Sequence, residues 1–530
     1  MTANLADLLR RAAAEAPDSV ALVDAGTGRR TTWAELDEAA SRVARGFEQQ
    51  GLVAGNRVVI ATANRPELVV VYLATLRAHL VAVPVNPRSA TGELLRMVTD
   101  AGARLLVADA TTIDSARAVA AGLEEALAGA DDELRARSVV PRIVALDCRA
   151  GSREIEFATL LAADRVPLPP TRDAESLAVL LYTSGTSSRP RAAMLSHRAL
   201  VANIEQGAAV EPPMVGPDDV VYGVLPMFHV YGLNAVLGQV LRQHATLVVV
   251  EGFDPAGSLE EIEHHAVTVV PVAPAVLAHW RDRDDLAERL GGVRTIMSGS
   301  APLSPEVLAD FAERSGVPVH QGYGLTEAAP VVTSTLCSRA AKPGSVGAAL
   351  PGVSLRLVDE TGQRPEGSDP GEIHVAGDNL FSGYWPDGAD GPVDGWFATG
   401  DVGFLDPDGD LFLVDRLKEL IIVSGFNVYP SEIEEVLEEV DGVEEAAVVG
   451  VPDEATGEAV VAYVRTAARE GDDADDLRDR VRSACHLRLA RFKQPSRVEL
   501  VEALPHTITG KVAKGRLRAT VRRTQLGLLE

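Results

Sequence analysis

Between Arg57 and Asp109 the chain alternates short β-branched runs with longer helical stretches, and this alternation restricts the fold more than any other feature of its 530 residues. In "RVVIATANRPELVVVYLATLRAHLVAVPVN", Val58 to Ile60 predicts a strand, Pro66 suits the first turn of a helix, and "LVAVPV" predicts the next strand. "TGELLRMVTDAGARLLVAD" repeats the unit, with Thr91 as a helix cap and Gly102 near the helix end. Such units predict an α/β domain with parallel strands. A chain of this length exceeds what one core normally organises, so more than one domain is expected.

The character changes downstream. In residues 343–415, "PGVSLRLVD", "GEIHVAGDNLF" and "GDLFLVDR" are short strands split by Gly, Pro and Asp, which predicts a small β-rich subdomain. After Arg416, "SEIEEVLEEV" predicts a helix with a capping box from Ser431 and Glu434, followed by strands in "GVEEAAVVGVPD" and "EAVVAYVRT". "EEALAGADDELRAR" predicts a charged surface excursion, and Leu5, Leu8, Leu9 and Ala12 follow helical spacing.

Several classes are disfavoured. The formal charge of −26 argues against a nucleic-acid role. The apolar stretch "LVVVYLATLRAHLVAVPV" is interrupted by Arg77, His79 and Pro84, so no integral membrane segment is expected. The first twenty residues carry Asp7, Glu15 and Asp18 and do not resemble a signal peptide. Cys148, Cys337 and Cys485 form no pair and predict three buried apolar side chains in a cytoplasmic protein. The charge is uneven: residues 431–480 carry a net −13 and residues 481–530 a net +8. A basic tail on an acidic protein is ordinary surface or a patch for a polyanion.

"YTSGTSSRPRAAMLSH" supplies hydroxyls and backbone N–H groups directly after the apolar run "LAVLLY", a step that can wrap phosphate oxygens. Alone, such a Ser/Gly-rich stretch is usually only a turn. With "LPMFHVYGL", "SGSAPL", "QGYGLTEAAP", "DGWFATGDVG", "VDRLKELIIVSGFNVYPSEIE" and "LPHTITGKVAKGRLR", in that order, the chain resembles the adenylate-forming superfamily over nearly its whole length, and within it the acyl-CoA synthetases of fatty acyl-CoA ligase type.

The resemblance implies a large N-terminal domain of α/β sheets (residues 1–415), a hinge at 416–418 and a small mobile C-terminal α+β domain (419–530). It implies that ATP, Mg²⁺ and coenzyme A act on a small-molecule carboxylic acid, a medium- or long-chain fatty acid. Thr183, Ser184, Gly185, Thr186, Ser187, Ser188 and Arg191 would hold the ATP phosphates. Here Ser188 replaces a glycine of the family pattern, Arg191 a lysine and Ala192 a glycine, a modified cradle. Glu327 would hold Mg²⁺, as a hard cation prefers oxygen ligands, and Thr326 would contact the α-phosphate. Gly299, Ser300, Ala301, Gly322, Tyr323 and Gly324 would surround the adenine, with Asp401 and Arg416 on the ribose. Asp401 reads otherwise as a turn residue after Gly400.

Lys511 would bridge the acid and the α-phosphate while adenylate forms. Rotation about Lys418 would then withdraw it and present Ser424, Gly425 and Phe426 to the pantetheine tunnel. His229, Tyr231, Val272, Pro274 and Gly324 would line the acyl channel. Delivery to a carrier protein, or ligand binding without catalysis, are the alternatives. Oligomeric state stays open, a homodimer among the options.

Overall fold

The computed structural model describes residues 4–128, 138–161, 173–183, 191–300, 303, 305–359, 362–365, 371–416, 421–428, 430–467, 471–505, 512, 514 and 517. The chain forms two compact units. The first comprises Met1–Pro87, Leu94–Tyr182 and Ala192–Asp415, and the second Arg88–Glu93, Thr183–Arg191 and Arg416–Glu530.

Two large sheets organise the first unit. One has seven strands, with Arg57–Ala61 paired in parallel to Val81–Pro84 and to Leu105–Ala108. The other has nine, and its centre runs parallel through Thr246–Val249, Val220–Gly223, Val269–Val272, Thr295–Ser298 and Val319–Gly324. The strand–helix–strand reading of residues 57–108 therefore holds, with Pro66 at the start of the helix Pro66–Arg77. Thr91 is a correction. The helix Thr91–Ala101 begins at Thr91 itself, and the carboxylate of Glu93 accepts the Ala90 N–H at 3.1 Å. A capping box does exist elsewhere, between Thr32 and Glu35 at the start of Trp33–Gln49.

The helix Pro66–Arg77 is buried without a break from Leu68 to Arg77. One core cluster unites it with Trp33 and Phe47 and with strand residues Val58, Ile60, Val221 and Leu247, drawn from both sheets. This explains an apolar run that is neither amphipathic nor a membrane span. No helix among the described residues is long and apolar enough to cross a membrane. The one cation in the run, Arg77, is paired: it donates to the Asp37 carboxylate at 2.6 Å and to Ser41 Oγ at 2.6 Å. A buried charge survives only when paired in this way.

His197 is just as deeply buried, and its Nδ1 accepts the Leu5 N–H at 3.2 Å. Burial depresses its pKa to about 4. The unfolded chain therefore binds the proton first, and the stability contributed by neutral His197 is present above pH 6.5 and lost as pH falls toward 4. At about 1.4 kcal/mol per pKa unit this amounts to roughly 3–4 kcal/mol. His197→Gln is expected to flatten the slope of melting temperature against pH between 6.5 and 4.5, relative to the parent.

The β-rich segment is a four-stranded antiparallel sheet of Ser354–Val358, Gly371–Ala376, Trp396–Leu405 and Leu411–Arg416. In the second unit, Glu445–Asp453 and Gly457–Arg465 pair antiparallel, and Arg497–Val501 adds in parallel to the latter. The helices Pro430–Glu438 and Asp472–Arg488 supply Ile433, Leu437, Leu477 and Val481 to this unit's core. The Ser431 side chain, one half of the expected capping box, lies outside the described residues. The helix begins at Pro430, and Glu434 accepts the Val448 N–H at 2.6 Å and pairs with Lys514 at 2.8 Å. Of the three cysteines only Cys485 is fully buried; Cys148 and Cys337 are half-buried.

Candidate active site

The segment "QGYGLTEAAP" forms the centre of the site. The strand Val319–Gly324 ends in a single 3₁₀ turn at Thr326–Ala328, and the chain returns antiparallel along Val331–Ser334. Two glycines make this return possible. A Cβ on Gly322 would lie 2.7 Å from the Thr333 carbonyl oxygen, and one on Gly324 would lie 2.5 Å from that of Pro330. Tyr323, between them, is buried, and its N–H donates to Thr333 Oγ1 at 3.2 Å.

The Tyr323 hydroxyl donates to Asp401 Oδ2 at 2.7 Å. Asp401 is not a turn residue. It lies within the strand Trp396–Leu405, where the pairing with Gly371–Ala376 slips between Glu372 and His374. Gly400 takes a positive φ of 74° there and donates its N–H to Glu372 Oε1 at 3.0 Å. A bulge of this kind re-aims a side chain, here the Asp401 carboxylate toward Tyr323.

Glu327 is only 8% exposed, so it is no solvated surface residue. Its Oε1 accepts the Tyr384 hydroxyl at 2.5 Å. Its backbone carbonyl accepts the Phe381 N–H at 2.9 Å, and Asn379 Nδ2 donates to the next carbonyl, that of Ala328, at 2.7 Å. Tyr384 is the residue that sequence reasoning missed. Its only signal was the "GYW" that Gly383, at positive φ, opens.

Around the expected acyl channel, His229 precedes a π-helical turn, Tyr231–Val236. Gly232 in that turn passes so close to the chain that a Cβ would meet the Pro226 carbonyl oxygen at 2.4 Å. Such turns are frequent at functional sites. Burial lowers the His229 pKa to about 4, so at neutral pH the imidazole is uncharged. Burial also pushes the Tyr231 phenol up. The Tyr231 ring edge lies 3.1 Å from where a Cβ on Gly299 would sit, and the Gly299 N–H donates to the Val272 carbonyl at 3.3 Å. His229, Tyr231, Val272 and Gly299 are thus neighbours through chain or contact, and Pro274 opens the helix Pro274–Trp280 just beyond Val272. Ser300 follows with a positive φ of 75°.

The strand Leu177–Thr183 ends at the start of the expected phosphate loop, and Thr183 Oγ1 donates to the Arg191 carbonyl across its mouth at 3.3 Å. Ser184, Gly185, Thr186, Ser187, Ser188, Ala301, Lys418 and Lys511 lie outside the described residues. Arg416 closes the strand Leu411–Arg416, with its side chain outside them as well. Ser424 and Gly425 form the two-residue tip of a hairpin between Ile421–Val423 and Phe426–Val428, with φ of 51° and 83°. Both angles suit a type I′ turn. Phe426 stacks on Phe492 with ring centroids 4.6 Å apart.

Among the described residues, no group of three or more His, Cys, Asp and Glu side chains is placed to hold a metal ion. The arrangement fits Mg²⁺ nonetheless, because that ion commonly takes one or two carboxylates and completes its shell with phosphate oxygens and water. Glu327 is the carboxylate available for it.

Two family models match the chain: AMP-binding enzyme over residues 9–385, and AMP-binding enzyme C-terminal domain over residues 432–511. The 4-coumarate–CoA ligase 5 of Oryza sativa subsp. japonica is 33% identical over 522 residues, covering 96% of this chain and 92% of that protein. The long-chain-fatty-acid–CoA ligase of Bacillus subtilis is 31% identical over 536 residues, covering 97% and 94%. Among solved structures, the amide bond synthetase McbA from Marinactinospora thermotolerans superposes with a TM-score of 0.81 at 30% identity, over 97% of this chain and 99% of that one.

Proposed function

The chain belongs to the AMP-binding enzyme family and is an acid–thiol ligase of the CoA-ligase type, and on that premise we propose that it activates an apolar carboxylic acid, alkyl or aryl, at the site built around Tyr323, Glu327 and Asp401. A carboxylate oxygen attacks the α-phosphorus of ATP and pyrophosphate leaves. The thiol sulfur of coenzyme A then attacks the acyl carbonyl, giving up its proton, and AMP leaves.

The observation that carries this reading is the 2.7 Å contact between the Tyr323 hydroxyl and Asp401. An aromatic ring for the base and an acceptor-only carboxylate for the vicinal ribose hydroxyls stand side by side, as a nucleoside requires. Glu327 would hold Mg²⁺, which would supply screening of the phosphate charge, and Thr326 lies one residue before it. The first step brings two anions together, so its barrier is lowered by neutralisation and alignment. His229, uncharged at neutral pH, serves the acid channel as a hydrogen-bonding and steric group rather than as a cation.

An apolar channel lined by Tyr231, Val272 and Pro274 would accept an alkyl or an aryl acid. The two ligases named above divide along the same line. A panel of alkyl and aryl acids, scored by pyrophosphate release with and without coenzyme A, decides between them. If no acid supports release, the catalytic reading fails. If release occurs but free coenzyme A does not accept the acyl group, holo-carrier protein and amines are the next acceptors to supply.

The modified phosphate loop gives a separate expectation. Ser in place of Gly costs about 1–2 kcal/mol wherever the backbone needs a left-handed conformation, and Arg presents its charge differently from Lys. Ser188→Gly combined with Arg191→Lys is expected to lower the KM for ATP severalfold in the pyrophosphate-release assay.

A further inference from the structure

The segment Asn379–Trp385 touches both sides of the nucleotide machinery. On one side it grips the Glu327 turn through three hydrogen bonds: Tyr384 hydroxyl to Glu327 Oε1, Phe381 N–H to the Glu327 carbonyl, and Asn379 Nδ2 to the Ala328 carbonyl. On the other it pairs with the strand that carries the chain out of the phosphate loop. Ser382 N–H donates to the Met194 carbonyl at 2.9 Å, Met194 N–H to the Gly383 carbonyl at 3.0 Å, and Trp385 N–H to the Ala192 carbonyl at 2.8 Å.

The segment is itself held rigidly. Gly383 adopts a φ of 91° where a Cβ would meet the Gly388 carbonyl oxygen at 2.2 Å, so the chain folds back tightly on itself. Phe381 packs edge-on against both Tyr384 and Phe397, each with centroids 5.0 Å apart. The Trp385 indole N–H donates to the Asp100 carbonyl at 3.1 Å.

We propose that Tyr384 is a positioning residue for the carboxylate that would bear the metal: its hydroxyl holds Oε1 of Glu327 and leaves Oε2 for an ion. The backbone ladder from residues 382–385 to residues 192–194 keeps that carboxylate in register with the strand leaving the phosphate loop. A free carboxylate rotates and visits several binding geometries. One pinned at a single oxygen by a buried phenol presents the other in a single direction, and outer partners of this kind commonly contribute ten- to hundredfold to metal affinity or activity. This inference rests on the assignment of Glu327 as the Mg²⁺ ligand, and its test separates the two.

Tyr384→Phe removes one oxygen atom and keeps the aromatic cluster. Binding of ATP is followed by thermal shift and by calorimetry across a Mg²⁺ titration, without any acid, in the parent, Tyr384→Phe and Glu327→Gln. The expected result for Tyr384→Phe is an unchanged melting temperature in the absence of nucleotide to within a few degrees, an unchanged affinity for metal-free ATP, and a Mg²⁺ half-saturation raised about tenfold. Its kcat for pyrophosphate release falls while the KM for the acid holds, and transfer of a preformed acyl adenylate to coenzyme A is unaffected. Glu327→Gln shows little Mg²⁺ dependence at all. A parent-like Mg²⁺ titration for Tyr384→Phe beside a lost one for Glu327→Gln overturns the role of Tyr384 alone. Parent-like titrations for both overturn the Glu327 assignment and the inference with it.

Discussion

Lys511→Ala is expected to lower the rate of adenylate formation by about 10²–10³-fold, the loss typical of removing one group aimed at developing charge in a dry site. The proposed first step joins a carboxylate to a triphosphate, and a bound Mg²⁺ would neutralise the phosphate chain but not the attacking oxygens. A compact ammonium on a long, flexible stem suits the space between the two. The same variant should convert chemically prepared acyl adenylate to thioester at the parent rate, since the second step needs no cation at that point. Pyrophosphate release and thioester formation, measured separately, check both halves. If adenylation proceeds unimpaired, the proposed role of the basic tail is wrong. An equal loss in both halves points to damage to the second unit as a whole. Lys511→Arg is not expected to rescue, because the planar fork fills more volume and cannot rotate as an ammonium does.

Asp401→Ala should raise the KM for ATP by roughly 10²-fold, with a smaller fall in kcat. A carboxylate accepting two ribose hydroxyls makes two charge-assisted bonds, each worth about 1.5–3 kcal/mol, and part of that is recovered by water in the variant. The contact with Tyr323 adds a diagnostic. Asp401→Asn retains an acceptor for the phenol and should fall between the parent and the alanine variant. Tyr323→Phe deletes the phenol and leaves the carboxylate, so its ATP affinity should suffer less than that of Asp401→Ala. Equilibrium binding of ATP and of AMP to the four proteins checks the order. Equal affinities throughout would remove the ribose contact from the proposed site.

Parallel strands buried on both faces leave a strong mark in a sequence, and the run from Val58 to Ala108 is a direct case. Val58–Ile60, Val81–Val83 and Leu105–Val107 are short apolar runs with no polar alternation, and all of them are core. The end caps were less legible. Ser431 and Glu434 have the spacing of a capping box, but tertiary partners, Val448 N–H and Lys514, occupy the glutamate. Thr32 and Glu35 have the same spacing and form one. Local spacing does not register which carboxylate a distant strand will engage.

The site divided in the same way. Tyr323, Glu327 and Asp401 stand in motifs whose glycines and threonines announce unusual backbone, and the structure gives each a physical reason. Tyr384 left only a faint mark, the "GYW", because its importance lies in a contact 57 residues away in sequence, to Glu327. The bulge that turns Asp401 out of its sheet was hidden too, since Gly400-Asp401 reads equally well as a reverse turn.

The crowding around the return at residues 322–334 bears on how such an enzyme could be reshaped. Gly322 and Gly324 face main-chain carbonyls, which cannot step aside, so any side chain there displaces the backbone that carries Tyr323 and Glu327. The atoms nearest a Cβ on Gly299 belong to the far end of the Tyr231 side chain rather than to main chain. Libraries meant to redirect selectivity therefore have a pliable pair at 299 and 231, beside a frame that admits no variation.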